Sequence, residues 1–296
     1  MSRYGPQGPW FVGVLVASLG YALTPVFIRW LGVGGMDAPT IAFYRYAIPA
    51  VLLFPFLALG VGNFGLTALG IGVGALLGLG WIGYIQVLEA TSVATAGILY
   101  LSFPIFTVVF SWALLGIRPG LKGIAVALAV VAAAYIAFRD APFSSLNIPA
   151  VLMVVAAPAS FGLAITVLAG WLGGLSPIRR LACVPFGATV GLAPFVLADA
   201  PLIDLVPTNE VLPLILGLGL GTALLPQFLY VISAPRIGPF RTAVAGSVEL
   251  PCMVLLGLWL FDENPTPSEM LACALLVCAS LLVAVSRQPK GQPPAI

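Results

Sequence analysis

Histidine is absent from this chain of 296 residues, and charge is scarce: 12 basic and 10 acidic side chains, 7% of the total, against 61% hydrophobic residues. A soluble domain uses about 25% charged residues to face water, so lipid is the solvent this composition fits. The missing histidine excludes H-E-x-x-H metal sites and Ser-His dyads. No G-x-x-x-x-G-K-[ST] loop occurs, so ATP bound in that way does not drive a cycle here. Glu249 is the one acid placed in mid-span, which leaves a paired-aspartate protease without its second carboxylate. A net charge of +2 is too small to attract nucleic acid. Cys183, Cys252, Cys273 and Cys278 fall in apolar stretches without C-x-x-C spacing, and read as small buried apolar side chains. No metal, cofactor or enzymatic activity is expected.

What is present is long apolar runs. Turn and charge clusters cut the chain into ten stretches, each near the roughly 20 residues that cross a bilayer. They lie near Trp10–Leu31, Ala38–Leu59, Gly65–Leu88, Thr91–Leu115 and Gly123–Phe138, then Ile148–Leu172, Ile178–Leu197, Val211–Ile232, Gly238–Phe261 and Glu269–Val285. The first run has only Arg3 before it and no small-residue cleavage site. It is too long for a signal-peptide core and reads as the first span. The tightest junction is Glu89-Ala90-Thr91.

Ten spans place both termini on one side. Arg3, Arg118, Lys122, Arg179, Arg180, Arg236, Arg241, Arg287 and Lys290 collect on that side, and only Arg29 and Arg139 on the other. The positive-inside rule makes the terminus side cytoplasmic. Asp37, Glu89, Asp140, Asp199, Asp204, Glu210, Asp262, Glu263 and Glu269 sort to the far side.

The chain also repeats itself. A shift of 147 puts Gly70-x-Gly72-x-Gly74 on Gly217-x-Gly219-x-Gly221, Thr95-Ala96 on Thr242-Ala243, Pro104 on Pro251 and Trp112 on Trp259. A shift of 142 puts Ser18-x-Gly20-x-Ala22 on Ser160-x-Gly162-x-Ala164. Five spans per half is an odd number, so the second half enters the membrane upside down. The expected fold is all-α and integral to the membrane: one five-helix repeat over residues 1–139, an inverted one over 147–286, and a cytoplasmic tail over 287–296. Inverted repeats mark many secondary transporters, whose site lies near the midplane between the halves.

The segment Tyr84–Phe138, with central Pro104, the Gly116-Ile-Arg-Pro turn and a following apolar helix, resembles the EamA module of the drug/metabolite transporter superfamily, as does Tyr230–Val285. The second copy carries Asp262-Glu263 where the family often has Gly-Glu; the first departs with Gly116-Ile117. Over its length the chain is also similar to the aromatic amino-acid exporter branch. That likeness implies efflux of amino acids through the bacterial inner membrane.

Candidate site residues follow from burial cost. Glu249 lies about 15 Å into its helix by the rise of the helix, where a carboxylate is most costly. It suits a substrate ammonium, a coupling proton or a partner in Arg45; the bland alternative is a protonated acid bonded within the bundle. Arg45, about 10 Å deep between Tyr44 and Tyr46, matches an arginine common in the family's second helix and is expected to snorkel to the outer interface rather than bind a carboxylate. Pro25, Pro104, Pro226 and Pro251 strip the carbonyls of Tyr21, Tyr100, Thr222 and Ser247 of their helical partners. Pro104 and Pro251, at equivalent places, are read as bends beside a cavity. Ser18, Tyr21, Tyr100, Ser102 and Ser160 are expected to line that cavity with Glu249; Trp81, Tyr84, Gln227 and Tyr230 border or gate it. Part of this aromatic set suits an interfacial belt equally well, as Trp10, Trp30 and Trp171 do. The glycine faces Gly70/Gly74/Gly78 and Gly217/Gly221 allow close helix packing.

The expected activity is gradient-driven export of amino acids, aromatic ones included, and related small metabolites by alternating access, with the bilayer and the small solute as the partners. A drug or other metabolite carrier of the same superfamily is the near alternative, and a membrane enzyme or receptor the alternative from another class. Oligomeric state, coupling ion and direction of net flux stay open in the sequence.

Overall fold

The computed structural model describes residues 8–58, 63–139, 148–199 and 207–285. Arg3, Asp140, Asp204, Arg287, Lys290 and the expected tail over 287–296 lie outside the described residues. All regular structure among the described residues is helical. In chain order the helices are α1 (Gly8–Ala22), α2 (Thr24–Val33), α3 (Ala38–Ala58), α4 (Phe64–Ala90), α5 (Val93–Tyr100), α6 (Phe103–Leu115) and α7 (Leu121–Arg139). They continue as α8 (Ile148–Gly170), α9 (Pro177–Asp199), α10 (Leu212–Leu216), a π-helical stretch (Gly217–Leu224), α11 (Leu225–Gly246), α12 (Glu249–Phe261) and α13 (Pro267–Val285).

Seven stretches of the described chain are long and apolar enough to cross a membrane: Gly8–Val33, Ala38–Ala58, Phe64–Ala90, Val93–Leu115, Pro177–Ala198, Leu212–Ala234 and Val244–Phe261. Three helices have shorter apolar cores, Gly123–Ala137, Val154–Gly170 and Pro267–Ala279. Those helices are themselves 19, 23 and 19 residues long.

Local chemistry sets the ends. The Asn63 side chain accepts from Leu66 N–H and starts α4; the Ser92 hydroxyl accepts from Thr95 N–H and starts α5, so Thr91-Ser92 is the whole turn between them. Thr266 and Glu269 cap each other reciprocally, which starts α13 at Pro267 and not at Glu269. Gly116 ends α6 at φ 68°, and Asp262 ends α12 in the same left-handed region at φ 54°.

Proline action goes beyond bending. The chain leaves the helix at Leu23, at Leu101-Ser102 and at Ser247-Val248, and re-enters it one residue before Pro25, one before Pro104 and two before Pro251. Each of these three spans is therefore two half-helices. Glu249 opens the second half-helix of its span, where the helix dipole favours a negative charge. Pro226 acts differently: the helix before it widens into the π-helical stretch and continues unbroken.

The expected loop between Ile232 and Gly238 is replaced by helical backbone running through to Gly246. That stretch is sharply bent, because the Thr242 hydroxyl reaches the Ala234 carbonyl at 3.3 Å, whereas eight residues of straight helix span about 12 Å. Pro235 and Pro239 sit in the bend.

Helices pair mostly across the halves of the chain: α4 with α8 and α9, α3 with α9 and the π-helical stretch, α1 with α11 and α12, α6 with α8, and α7 with α13. The α4–α9 contact is made by glycine. A Cβ on Gly78 would lie 2.9 Å from Ala188 Cα, and one on Gly74 the same distance from Val184 Cα. Gly187 and Gly191 of α9 answer with equally close approaches to Ile71 and Ala75. The second glycine stripe is not equivalent: Gly217 meets Phe27, while Gly221 has open space beside it.

Candidate functional site

The three helix breaks, the π-helical stretch and α4 surround one cluster of polar and aromatic side chains. Trp81 is its hub. Its ring lies 4.9 Å from Tyr84, 5.5 Å from Tyr100 and 6.3 Å from Tyr46. Tyr100 continues the array to Phe161 at 5.6 Å and Phe103 at 6.3 Å. The pairs are edge-on or tilted, and none is a face-to-face sandwich, in keeping with ring quadrupoles.

Arg45 projects into this cluster from α3. Only 5% of it is exposed, so it does not snorkel to the interface. Its guanidinium lies 4.1 Å above the Trp81 ring. Nη1 donates to Thr222 Oγ1 at 2.6 Å and to Thr24 Oγ1 at 3.3 Å, and Nη2 donates to the Thr222 carbonyl at 3.1 Å. That carbonyl is the one Pro226 deprives of its helical donor. The buried arginine thus satisfies an orphaned acceptor, and the proline gives the arginine a partner in the other half of the chain. The snorkelling expectation fails because sequence depth says nothing about facing: Arg45 lies on the inward side of α3.

Glu249 is half-buried and has no hydrogen bond among the described residues. Arg45, Tyr21, Tyr84, Tyr100 and Tyr230 lie within electrostatic range of it. Among the described residues the ion pair is Arg29–Glu263; Arg45 and Glu249 lie within electrostatic range of each other but beyond ion-pair distance.

Of the expected site residues, Trp81, Tyr84 and Tyr100 are in mutual ring contact beside Arg45, while Tyr230 packs with Trp10 and Phe11. The three serines do not join them as donors. Ser18 Oγ donates to the Val14 carbonyl, Ser102 Oγ to Leu99 and Ser160 Oγ to Ala157, at 3.0, 2.6 and 3.0 Å. All three are buried; Ser102 and Ser18 stiffen the helix ends beside the breaks, and Ser160 sits against Gly80 where α4 meets α8. Gln227 is half-buried on α11 and makes no hydrogen bond among the described residues. Trp10 is not a bare belt residue, because Arg236 stacks on it at 4.1 Å.

A second polar assembly lies at the end of the bundle where α2 finishes. Arg29 pairs with Glu263, donates to the Thr91 carbonyl at 2.6 Å and lies 4.9 Å over Phe261. Glu263 also accepts from Val93 N–H at 2.8 Å. Glu269, buried, accepts from Ser92 and from Thr95 at 2.7 Å. Arg29, Glu263 and Glu269 are the charges that span order sorts to one face, and the assembly joins α2 and α5 to the turn between α12 and α13. In the other copy Ile117 stands where Glu263 does and is exposed, so that turn carries no such acid.

Residues 8–139 match the EamA-like transporter family. No curated protein gives a significant sequence match to the chain. A crystal structure of a protein with 17% sequence identity superposes with a TM-score of 0.62, covering 93% of this chain and 96% of its own. At that identity the likeness is one of fold alone.

Proposed function

We propose that this chain, whose residues 8–139 form a domain of the EamA-like transporter family, is a secondary carrier that exports amino acids, aromatic ones included, by alternating access across a bacterial inner membrane. The match over residues 8–139 supports a membrane transporter of small metabolites; the amino-acid substrate and the direction are our reading. The observation that carries it is the central site: Arg45 stacks on Trp81 within an aromatic cluster, and Glu249 lies within electrostatic range of it, which suits the two charges and the side chain of a small amphipathic solute. Half-helices that meet at such a site are the usual way for a transporter to place polar backbone at membrane depth.

In this reading the ten apolar helical stretches are ten spans in two inverted repeats, 1–139 and 147–286, with both termini cytoplasmic. The contacts support it by their reciprocity. Contact of α4 with α8 is matched by α11 with α1, and contact of α4 with α9 by the π-helical stretch with α3; α3–α9 and α7–α13 pair equivalent helices directly. Tyr21, Tyr100, Tyr230 and Glu249 line the site, Trp81 and Tyr84 form its wall, and the assembly around Glu263 closes the outer mouth.

Counterflow in proteoliposomes with a panel of labelled amino acids tests the substrate. Accumulation of at least one, abolished by loss of the gradient of unlabelled solute, is expected. Transport of none, with a drug or sugar panel accumulating instead, overturns the amino-acid reading. Reporter tags after Asp140 and Pro289 test the inversion: opposite faces are expected, and the same face contradicts it.

A further inference from the structure

We propose that Arg45 is the carboxylate anchor of the transport site, the outward edge of its guanidinium taking the carboxylate of a zwitterion whose ammonium faces Glu249. This rests on the reading of the site as that of an amino-acid carrier.

A guanidinium offers five N–H donors along two edges. The end-on edge, Nη1 with Nη2, grips Thr222 through its hydroxyl and its carbonyl. The side-on edge includes Nε, which is buried and has no hydrogen-bond partner among the described residues. That edge is the one on which a planar carboxylate binds with two parallel hydrogen bonds. Stacking on Trp81 at 4.1 Å fixes the plane of the group, and Thr222 fixes its rotation within that plane. The Tyr46 hydroxyl also accepts from the Arg45 side chain, so Nε is the donor left over, with little rotamer freedom to lose on binding.

Charge leads to the same place. Arg45 is buried without a carboxylate within ion-pair distance among the described residues, and Glu249 is half-buried without a hydrogen bond. A lone buried charge is costly. Two opposite ones held too far apart to pair are both satisfied by a solute that carries a negative and a positive group between them. The tyrosines and Trp81 around them leave an aromatic wall for the rest of the solute. Because Arg45 is itself tied to Thr222, a solute bound to it is fixed to both halves of the chain at once.

Binding to the purified full-length protein is measured for L-phenylalanine, for phenethylamine, which lacks the carboxylate, and for 3-phenylpropionate, which lacks the ammonium. Wild-type protein, Arg45→Gln and Thr222→Val are compared, and phenylalanine counterflow is run in parallel. We expect Arg45→Gln to weaken phenylalanine at least about tenfold, as loss of a bidentate charged pair does, and to leave phenethylamine within about twofold. Thr222→Val keeps the charge and loosens its aim; it weakens phenylalanine severalfold and spares phenethylamine, which covers the case in which Arg45→Gln does not fold. If phenylalanine is transported but removing its carboxylate costs the same affinity in all three proteins, the anchor is refuted and the amino-acid reading stands. If none of the three compounds binds the wild-type protein, both fall.

Discussion

Arg29 and Glu263 are the pair on which the two halves of the chain meet at one mouth of the bundle, and their coupling can be measured. Each side chain is about one-fifth exposed, 20% and 18%. Water therefore screens the pair, and its mutual energy belongs near the upper end of the range for exposed pairs, about 1 kcal/mol. Glu263 does a second job by accepting from Val93 N–H at 2.8 Å. Glu263→Gln keeps an oxygen for that bond and loses the charge; Glu263→Ala loses both, for about 1 kcal/mol more. Arg29→Gln also gives up the bond to the Thr91 carbonyl and the contact with Phe261, so its total cost is about 2 kcal/mol. Equilibrium unfolding in detergent of Arg29→Gln, Glu263→Gln and the double variant completes a cycle. The double variant should be less damaged than the sum by about 1 kcal/mol, a factor of about five, and the difference should shrink as salt is raised. Strict additivity at low salt would refute the pair as an energetic link between the halves.

Three further outcomes follow from single contacts. Asp262 holds the left-handed cap that glycine takes at Gly116, so Asp262→Gly should raise unfolding stability by about 0.5 kcal/mol, read as a higher melting temperature. Gly78→Val places a branched side chain against the Ala188 backbone and should cost about 3 kcal/mol, seen as loss of monodisperse protein; Gly72→Val, where a Cβ meets nothing, should be tolerated. Glu249→Gln removes a carboxylate within electrostatic range of Arg45 and should cut counterflow at least about tenfold while leaving the melting temperature within a few degrees, since no side-chain hydrogen bond among the described residues is lost. Unchanged transport would remove Glu249 from the site.

The span positions were legible because the apolar runs end at strong local signals, and the structure moves most ends by two residues or fewer: Ala38–Leu59 becomes Ala38–Ala58, and Gly65–Leu88 becomes Phe64–Ala90. Thr266-Pro267-Ser268-Glu269 was a capping signal on the page; reading it would have started α13 at Pro267. The prolines were legible as to which carbonyl each frees, and Arg45 on the Thr222 carbonyl is a direct consequence of that rule. Which donor would come was not legible, because Arg45 and Thr222 are distant in sequence and depth alone does not tell the inward face of α3 from the outward one. The direction of the serine hydroxyls was not legible for a local reason: in a buried helix the nearest acceptor for a hydroxyl is its own backbone three or four residues back. Glu263 and Glu269 were visible as charges on one face; their grip on α5 depends on tertiary folding that no spacing reports.

Alternating access is tested most directly at Tyr21, on α1 and within electrostatic range of Glu249. In a background with Cys183, Cys252, Cys273 and Cys278 replaced by alanine, a Tyr21→Cys protein in membrane vesicles of known orientation is exposed to a membrane-impermeant thiol reagent from each side in turn. The account predicts modification from both sides, slowed from both by bound substrate. Modification from one side alone, with or without substrate, would contradict it.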